Sequence, residues 1–115
     1  MAKTSIASVA VNATNSGGTT LAAAATNTIH ELIGLSISSN AAVSVKFQSN
    51  SNDITGPWNM AAGTPLTIPQ LAQNVMSGIT PICSTAVAGN EPLKINLSVN
   101  ASVGGVAIVR SMTFP

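Results

Sequence analysis

Residues 91–99 read EPLKINLSV and hold the cleanest alternation of apolar and polar side chains in this chain. Leu93, Ile95, Leu97 and Val99 fall at every second position, with polar residues between them. Successive side chains on a β-strand point to opposite faces of the sheet, so this spacing predicts a strand with one buried face. Each of the four contributes about 1.5–3 kcal/mol when it is fully buried.

The same period-two pattern recurs along the rest of the chain. It predicts further strands at 4–13, 28–38, 42–48, 79–88 (interrupted by Pro81) and 106–114. Residues 19–26 are ambiguous because of their alanine run, which is too short to nucleate a helix, and a strand or extended edge is favoured. About eight short strands with turn residues between them predict an all-β, antiparallel β-sandwich of jelly-roll-like form, in one domain spanning residues 1–115.

Strand 28–38 carries two local predictions. Its apolar parity places Ile29, Glu31, Ile33, Leu35 and Ile37 on one face, with Glu31 as the one polar member. The link to the strand at 42–48 is short, which predicts a hairpin between the two.

Two other segments interrupt the regular pattern. Gly104 and Gly105 are expected to form a bulge or tight turn before the last strand. Residues 70–77 fit one short helix, with Leu71 and Val75 four positions apart, and fit an irregular strand equally well.

Charge is scarce and scattered in this chain. Charged residues make up 6% of the sequence, against about 25% in ordinary soluble domains. The four cations, Lys3, Lys46, Lys94 and Arg110, do not cluster, so nucleic acid is not an expected partner. Residues 4–14 (TSIASVAVNAT) alternate and do not form an apolar block, so a signal peptide is not expected. No apolar run reaches the ~18 residues of a membrane span, so a membrane is not expected as a partner either.

Residues capable of catalysis are few. They are His30, Glu31, Asp53, Cys83 and Glu91. His30 and Glu31 are neighbours on a strand and should point to opposite faces, and His30 is expected to be an ordinary surface histidine. Cys83 is the only cysteine, which excludes an intramolecular disulfide and agrees with folding in a reducing cytoplasm; it is expected to be a packed hydrophobe. We therefore expect no catalytic, cofactor or metal site, and no enzymatic activity.

Both ends of the chain are small or apolar and are expected to be extended arms, at 1–10 and 110–115. Either arm could add as an edge strand to a neighbouring molecule. Trp58 is either an interface anchor or a cap on one end of the core. The candidate interface residues are Ile6, Val9, Val11, Trp58, Met112 and Phe114.

Three stretches in a fixed order carry a resemblance to a known class of proteins. They are NAAVSVKFQS at 40–49, TGPWNMAAGTPLTIP at 55–69 and GNEPLKINLSVNASVGGVAIVR at 89–110. In this order they resemble the capsid-decorating (cement) proteins of tailed bacteriophages. Val109 departs from the pattern, which has an aromatic residue before Arg110, and residues 70–88 do not match it.

The resemblance implies a decoration protein that binds the outer surface of the major capsid lattice and stabilises the head. Its partners would be the major capsid protein and further copies of itself, as a trimer before a dimer. It would be made in the cytoplasm of the host bacterium and reside on the exterior of the virion. The alternative is a tail, fibre or baseplate module involved in host attachment.

Overall fold

The computed structural model describes residues 3–68, 82–86 and 89–114, and these form ten β-strands and no helix. The strands are β1 (Lys3–Ala13), β2 (Gly17–Ala22), β3 (Thr28–Ser39), β4 (Val43–Ser49), β5 (Asn52–Asp53), β6 (Trp58–Met60), β7 (Leu66–Ile68), β8 (Cys83–Ser84), β9 (Leu93–Leu97) and β10 (Val103–Thr113). Every pairing between them is antiparallel. The all-β prediction is confirmed.

The strands form two five-stranded sheets. Sheet A has the order β1-β10-β3-β7, with β8 also paired to β3; sheet B has the order β2-β9-β4-β5, with β6 also paired to β4. Because two short strands share an edge in each sheet, the ten strands fill eight positions. The strands β1 to β4 alternate between the sheets, and when each shared edge is counted as one strand the sheet orders are 1-8-3-6 and 2-7-4-5, which are those of a jelly roll. The predictions of a sandwich, a jelly-roll form and about eight strands are confirmed.

The core lies between the sheets and is built from the predicted alternating positions. Phe47 and Val45 of β4 and Ile95 of β9 are fully buried, while the residues between them are half-exposed. The strand prediction at 42–48 is confirmed, and the strand prediction at 91–99 is confirmed over residues 93–97. Val99 is 47% exposed, so its inward placement was wrong: β9 ends at Leu97 and the chain bends away before Val99.

The parity predicted for β3 is wrong in its first half because the strand contains a bulge. Opposite Ile108 and Val109 of β10, β3 has one extra residue, Ile33. Leu35 and Leu32 both belong to the core cluster, although they are three positions apart, because the bulge shifts the alternation. Glu31 therefore lies on the outer side of sheet A.

The predicted hairpin between β3 and β4 is also wrong, because the two strands lie in different sheets. The chain crosses from one sheet to the other at residues 40–42. Asn40 N donates to Ser102 O at 3.1 Å, and Ser102 N donates to Asn40 Oδ1 at 2.8 Å. These bonds provide hydrogen-bond partners for Asn40 at the corner, and the partners come from the link between β9 and β10. The corner therefore does not depend on hydrogen bonds between β3 and β4.

The predicted bulge or tight turn at Gly104 and Gly105 is wrong, because both residues lie inside β10 and the register has no shift there. The φ of Gly105 is +142°, and a Cβ built on it would lie 2.0 Å from Ser36 O of β3. Glycine is therefore required where β10 passes close to the backbone of β3. The ladder irregularity is further along, between Ile108 and Val109.

The ends of the chain pair with each other within the described structure. β1 pairs with β10 in one unbroken register, from Lys3 opposite Thr113 to Ala13 opposite Val103. Extended arms were expected at 1–10 and 110–115. Residues 3–10 and 110–113 are instead parts of β1 and β10, because the backbone groups of these two strands are hydrogen-bonded to each other. The two alternatives for 70–77 fall outside the described residues, and of 79–88 the structure describes 82–86, with a strand at Cys83–Ser84.

Candidate assembly surface

The outer face of sheet A is the candidate functional surface. In β10, Val103, Ala107 and Val109 belong to the core cluster, so the alternate residues point away from it. The strand register places matching residues of β1 and β3 beside them. We call this surface the A face; it comprises Thr4, Ile6, Ser8, Ala10, Ile29, Glu31, Val106, Ile108, Arg110 and Met112.

Large apolar side chains on the A face are open to solvent. Ile6 is 51% exposed and Val106 is 39% exposed. Ile108 lies between them in the β1–β10 register and Met112 lies beyond Ile6, and both are half-buried. Exposed apolar side chains that share one face of a sheet mark interaction sites more often than isolated exposed residues do.

The two charged side chains of the A face neutralise each other. Arg110 Nη2 lies 2.6 Å from Glu31 Oε1, and Arg110 Nε donates to the same oxygen at 2.6 Å. Their side chains are 15% and 11% exposed, so the pair is largely removed from water. The A face therefore presents apolar surface around a compensated ion pair.

The outer face of sheet B is polar by contrast. Lys46 Nζ lies 3.0 Å from Asp53 Oδ2, and Gln48 Nε2 donates to Asp53 Oδ1 at 2.8 Å. The Gln48 hydrogen bond and then the Lys46 hydrogen bond lower the pKa of the exposed Asp53 carboxyl. Asn96 Nδ2 donates to Gln48 Oε1 at 3.3 Å and extends this network. A polar face of this kind is well solvated. Of the two outer faces, the A face therefore has more exposed apolar surface to bury against a partner.

The edge of sheet A beside the A face is open. β1 is eleven residues long and pairs with β10 on one side, and no other described strand pairs with it. The other outer strands are β2, with six residues, and β5 to β8, with two or three each. Unpaired strand edges are sites of strand addition.

The predicted interface residues separate into two groups. Ile6 and Phe114 are exposed and Met112 is half-exposed, so these three can reach a partner. Val11 is 3% exposed and lies in the core, so its prediction as a contact residue was wrong: its parity on β1 points inward. Val9 has the same parity and is partly buried against the core.

Trp58 lies in β6 and is partly buried against the core. Its ring meets that of Phe47 edge-on, with centroids 5.8 Å apart and an interplanar angle of 66°. This contact favours the cap over the interface anchor.

Val106 and Ile108 are the surface residues that the sequence interpretation missed. A signal for them was present, since both parities of VAIV at 106–109 are apolar. A strand that is apolar on both faces is either buried on both or exposes one for contact.

His30 is 6% exposed, so its prediction as a surface residue was wrong. Its Nε2 donates to Ala23 O at 2.9 Å, and its Nδ1 lies 2.7 Å from Ser111 Oγ. Glu31 pairs with Arg110 on the outer side, which confirms that these neighbours point to opposite faces. Both ring nitrogens of His30 are thus used in structural bonds.

Cys83 is buried opposite Leu32 in the β3–β8 register. Burial raises the pKa of its thiol to about 12. The packed-hydrophobe prediction is confirmed, and the thiol is not an activated nucleophile.

The acidic side chains stay apart. Glu31 bonds to Arg110, Asp53 bonds to Lys46, and Glu91 accepts from Ser49 Oγ at 2.6 Å. Among the described residues, no three His, Cys, Asp or Glu side chains gather as metal ligands. Within the same residues no helix is long and apolar enough to cross a membrane.

No family model matches this chain, and no curated protein matches it. A solved structure from a study of Bacillus endospore appendages, described there as a novel family of disulfide-linked pili, is similar in fold. It superposes with a TM-score of 0.51 at 11% sequence identity, over 99% of this chain and 89% of that chain. At that identity the likeness shows the fold alone.

Proposed function

We propose that this chain is a decoration protein of a tailed-bacteriophage capsid, and that the A face is its contact with the major capsid protein. The observation that carries the proposal is the apolar A face, with Ile6 and Val106 exposed around a neutralised ion pair, on a chain with 6% charged residues. The three ordered stretches at 40–49, 55–69 and 89–110 support the same class.

The mechanism is adhesive. A copy that sits across contacts between capsid subunits buries its apolar face together with theirs. Because it binds the assembled lattice and not the separated subunits, it stabilises the lattice by mass action. Burial of one valine-sized side chain contributes about 1.5–3 kcal/mol, so a few residues repeated over many copies suffice. No enzymatic step is part of this proposal.

Copies of the chain also associate with one another in this proposal. The low charge weakens repulsion between copies, and association covers surface that is otherwise open to water. The trimer expected from the resemblance remains a prediction, which a mass measurement decides.

The test uses heads of the parent phage prepared without this protein. Purified chain is added, binding is measured by co-sedimentation, and DNA release on heating is followed. We expect saturable binding and a higher release temperature. A chain that neither binds the heads nor changes their heat resistance contradicts the proposal, and a chain that blocks phage adsorption to cells supports the tail, fibre or baseplate alternative.

A pair of matched variants locates the contact. Val106→Asp places a charge on the A face, on a strand paired on both sides, and we expect at least about tenfold weaker binding. Thr20→Asp makes the same kind of change at an exposed position of sheet B and should bind like the unchanged chain. Equal binding by both variants would contradict the assignment to the A face.

A further inference from the structure

We infer that the open edge of β1 pairs antiparallel with the same edge of a second copy, so that two A sheets join into one across a twofold axis. This inference concerns the chain by itself and does not depend on capsid binding. It rests on the direction of the backbone groups of β1, on its sequence and on the register available to it.

The backbone groups of alternate β1 residues face the open edge. Phe114 N donates to Asn27 O at 2.8 Å, and Thr85 N donates to His30 O at 2.9 Å on the far side of β3. These bonds require the even-numbered residues of β10 to direct their backbone groups to β3 and the odd-numbered ones to β1.

The register between β10 and β1 then shows which residues of β1 direct their backbone N–H and C=O groups to the open edge. Odd residues of β10 lie opposite odd residues of β1, as in Ser111 opposite Ser5. The odd residues of β1 are therefore bonded to β10, and the even residues face outward. The outward-facing residues are Thr4, Ile6, Ser8, Ala10 and Asn12.

β1 lacks the features that protect edge strands. It contains no proline, its register with β10 has no shift, and its one charged residue is Lys3 at the beginning. The other open long edge, β2, has a register irregularity between Thr20 and Ala22. Short strands, bulges, prolines and charges are the usual means by which proteins prevent edge pairing.

A second copy of β1 fits this edge in one full-length register. With Ser8 opposite Ser8 of the second copy, Lys3 lies opposite Ala13 and Ile6 lies opposite Ala10. All outward-facing residues then oppose one another, which gives about ten backbone hydrogen bonds between the copies. The two Lys3 positions fall at opposite ends of the strand pair, and residues of like parity stay on the same face of the joined sheet.

The pairing joins the two A faces into one surface. Ile6 of each copy comes next to the twofold axis, and the exposed apolar side chains of both copies form one patch. A symmetric pair of identical edges closes after two copies, so this inference predicts a dimer and not the trimer expected from the resemblance.

The first test is the mass of the full chain in solution, without capsids, over a dilution series. We expect twice the 11.5 kDa of one chain at high concentration. Ser8→Pro removes an outward-facing N–H while the bonds to β10 remain, and we expect at least about tenfold weaker self-association. Ser8→Ala keeps the N–H and should dimerise like the unchanged chain. A monomer at every concentration, or a trimer, overturns the inference.

The second test does not depend on the folding of the proline variant. In the proposed register the two Ser8 Cα atoms lie about 5.5 Å apart, within the range of a disulfide. The two Ser5 Cα atoms lie about 20 Å apart. Under mild oxidation Ser8→Cys should therefore form covalent dimers at least about tenfold faster than Ser5→Cys. Equal rates overturn the register.

Capsid binding is then measured separately on the same variants. A chain that dimerises but does not bind heads contradicts the proposed function and leaves the dimer intact. A chain that is monomeric alone, and whose Ser8→Pro variant loses head binding, assigns the edge to the capsid protein and overturns the self-pairing.

Discussion

Glu31 and Arg110 lie directly opposite each other on β3 and β10, with a carboxylate oxygen 2.6 Å from the guanidinium on the outer side of sheet A. The bulge at Ile33 puts Glu31 on that side, since an unbroken alternation would have turned it toward the core with Leu35. The pair therefore depends on one extra residue in β3.

Replacing one partner of this pair should destabilise the chain. Glu31→Leu leaves the Arg110 guanidinium largely buried without its carboxylate, and we expect a loss of about 3 kcal/mol in the free energy of unfolding. Urea unfolding measures the loss.

The double variant Glu31→Leu with Arg110→Met is the matched control. The double variant leaves neither of the two charged groups buried without the other, so we expect it to be more stable than Glu31→Leu. Single variants that cost less than the double variant would contradict this account of the pair.

Gly105→Ala should be among the most destabilising substitutions in the chain. The new Cβ would lie 2.0 Å from Ser36 O, and the φ of +142° is strained for any residue with a side chain. We expect a loss of at least about 3 kcal/mol, or failure to fold. Gly56→Ala is the control because a Cβ there meets nothing within 4 Å, and we expect a change within about 0.5 kcal/mol.

Cys83 should react slowly with thiol reagents in the folded chain. Burial raises its pKa to about 12 from an ordinary 9.0, so at pH 8 the thiolate is nearly absent. We expect alkylation to follow global unfolding, with rapid reaction in urea. Alkylation at equal rates with and without urea would contradict the burial of this thiol.

The same shift makes stability depend on pH. The folded chain holds the Cys83 proton more tightly than the unfolded chain, so this contribution is fully present below pH 9.0 and is lost as pH rises toward 12. Cys83→Ala should show a shallower loss of stability over this range than the unchanged chain. Identical pH profiles for the two would show that other groups cause the loss.

The carboxyl of Asp53 should titrate below its ordinary value of 3.8, because Gln48 and Lys46 bond to its charged form. Gln48→Met removes the Gln48 hydrogen bond, and Lys46→Met removes both a hydrogen bond and a positive charge, so each variant should raise the pKa of Asp53 toward 3.8. Carboxyl chemical shifts followed through an acid titration measure both. An unchanged Asp53 pKa in either variant would contradict the contact that this variant removes.

Period-two spacing identified the strands whose two parities differ clearly. The strands β4 and β9 alternate between large apolar and polar residues, so their inward faces were predictable from Val45, Phe47 and Ile95 without knowing the partner strands. Where both parities are apolar, as in 106–109, the spacing does not say which side meets the core, and the exposed Val106 was missed.

The amino-acid sequence by itself determined that the chain forms two packed sheets, because the alternation of side chains is a local property. Its composition likewise determined that the surface carries few charged residues. Only the tertiary structure decided which strands share a sheet, where β3 gains its extra residue, that the chain ends pair with each other, and which strand is left open. These depend on contacts between residues far apart in sequence, such as Glu31 with Arg110 and Gly105 with Ser36, and no local pattern encodes them. The surface that we propose for assembly is therefore a consequence of the topology, although its apolar residues are visible in the sequence.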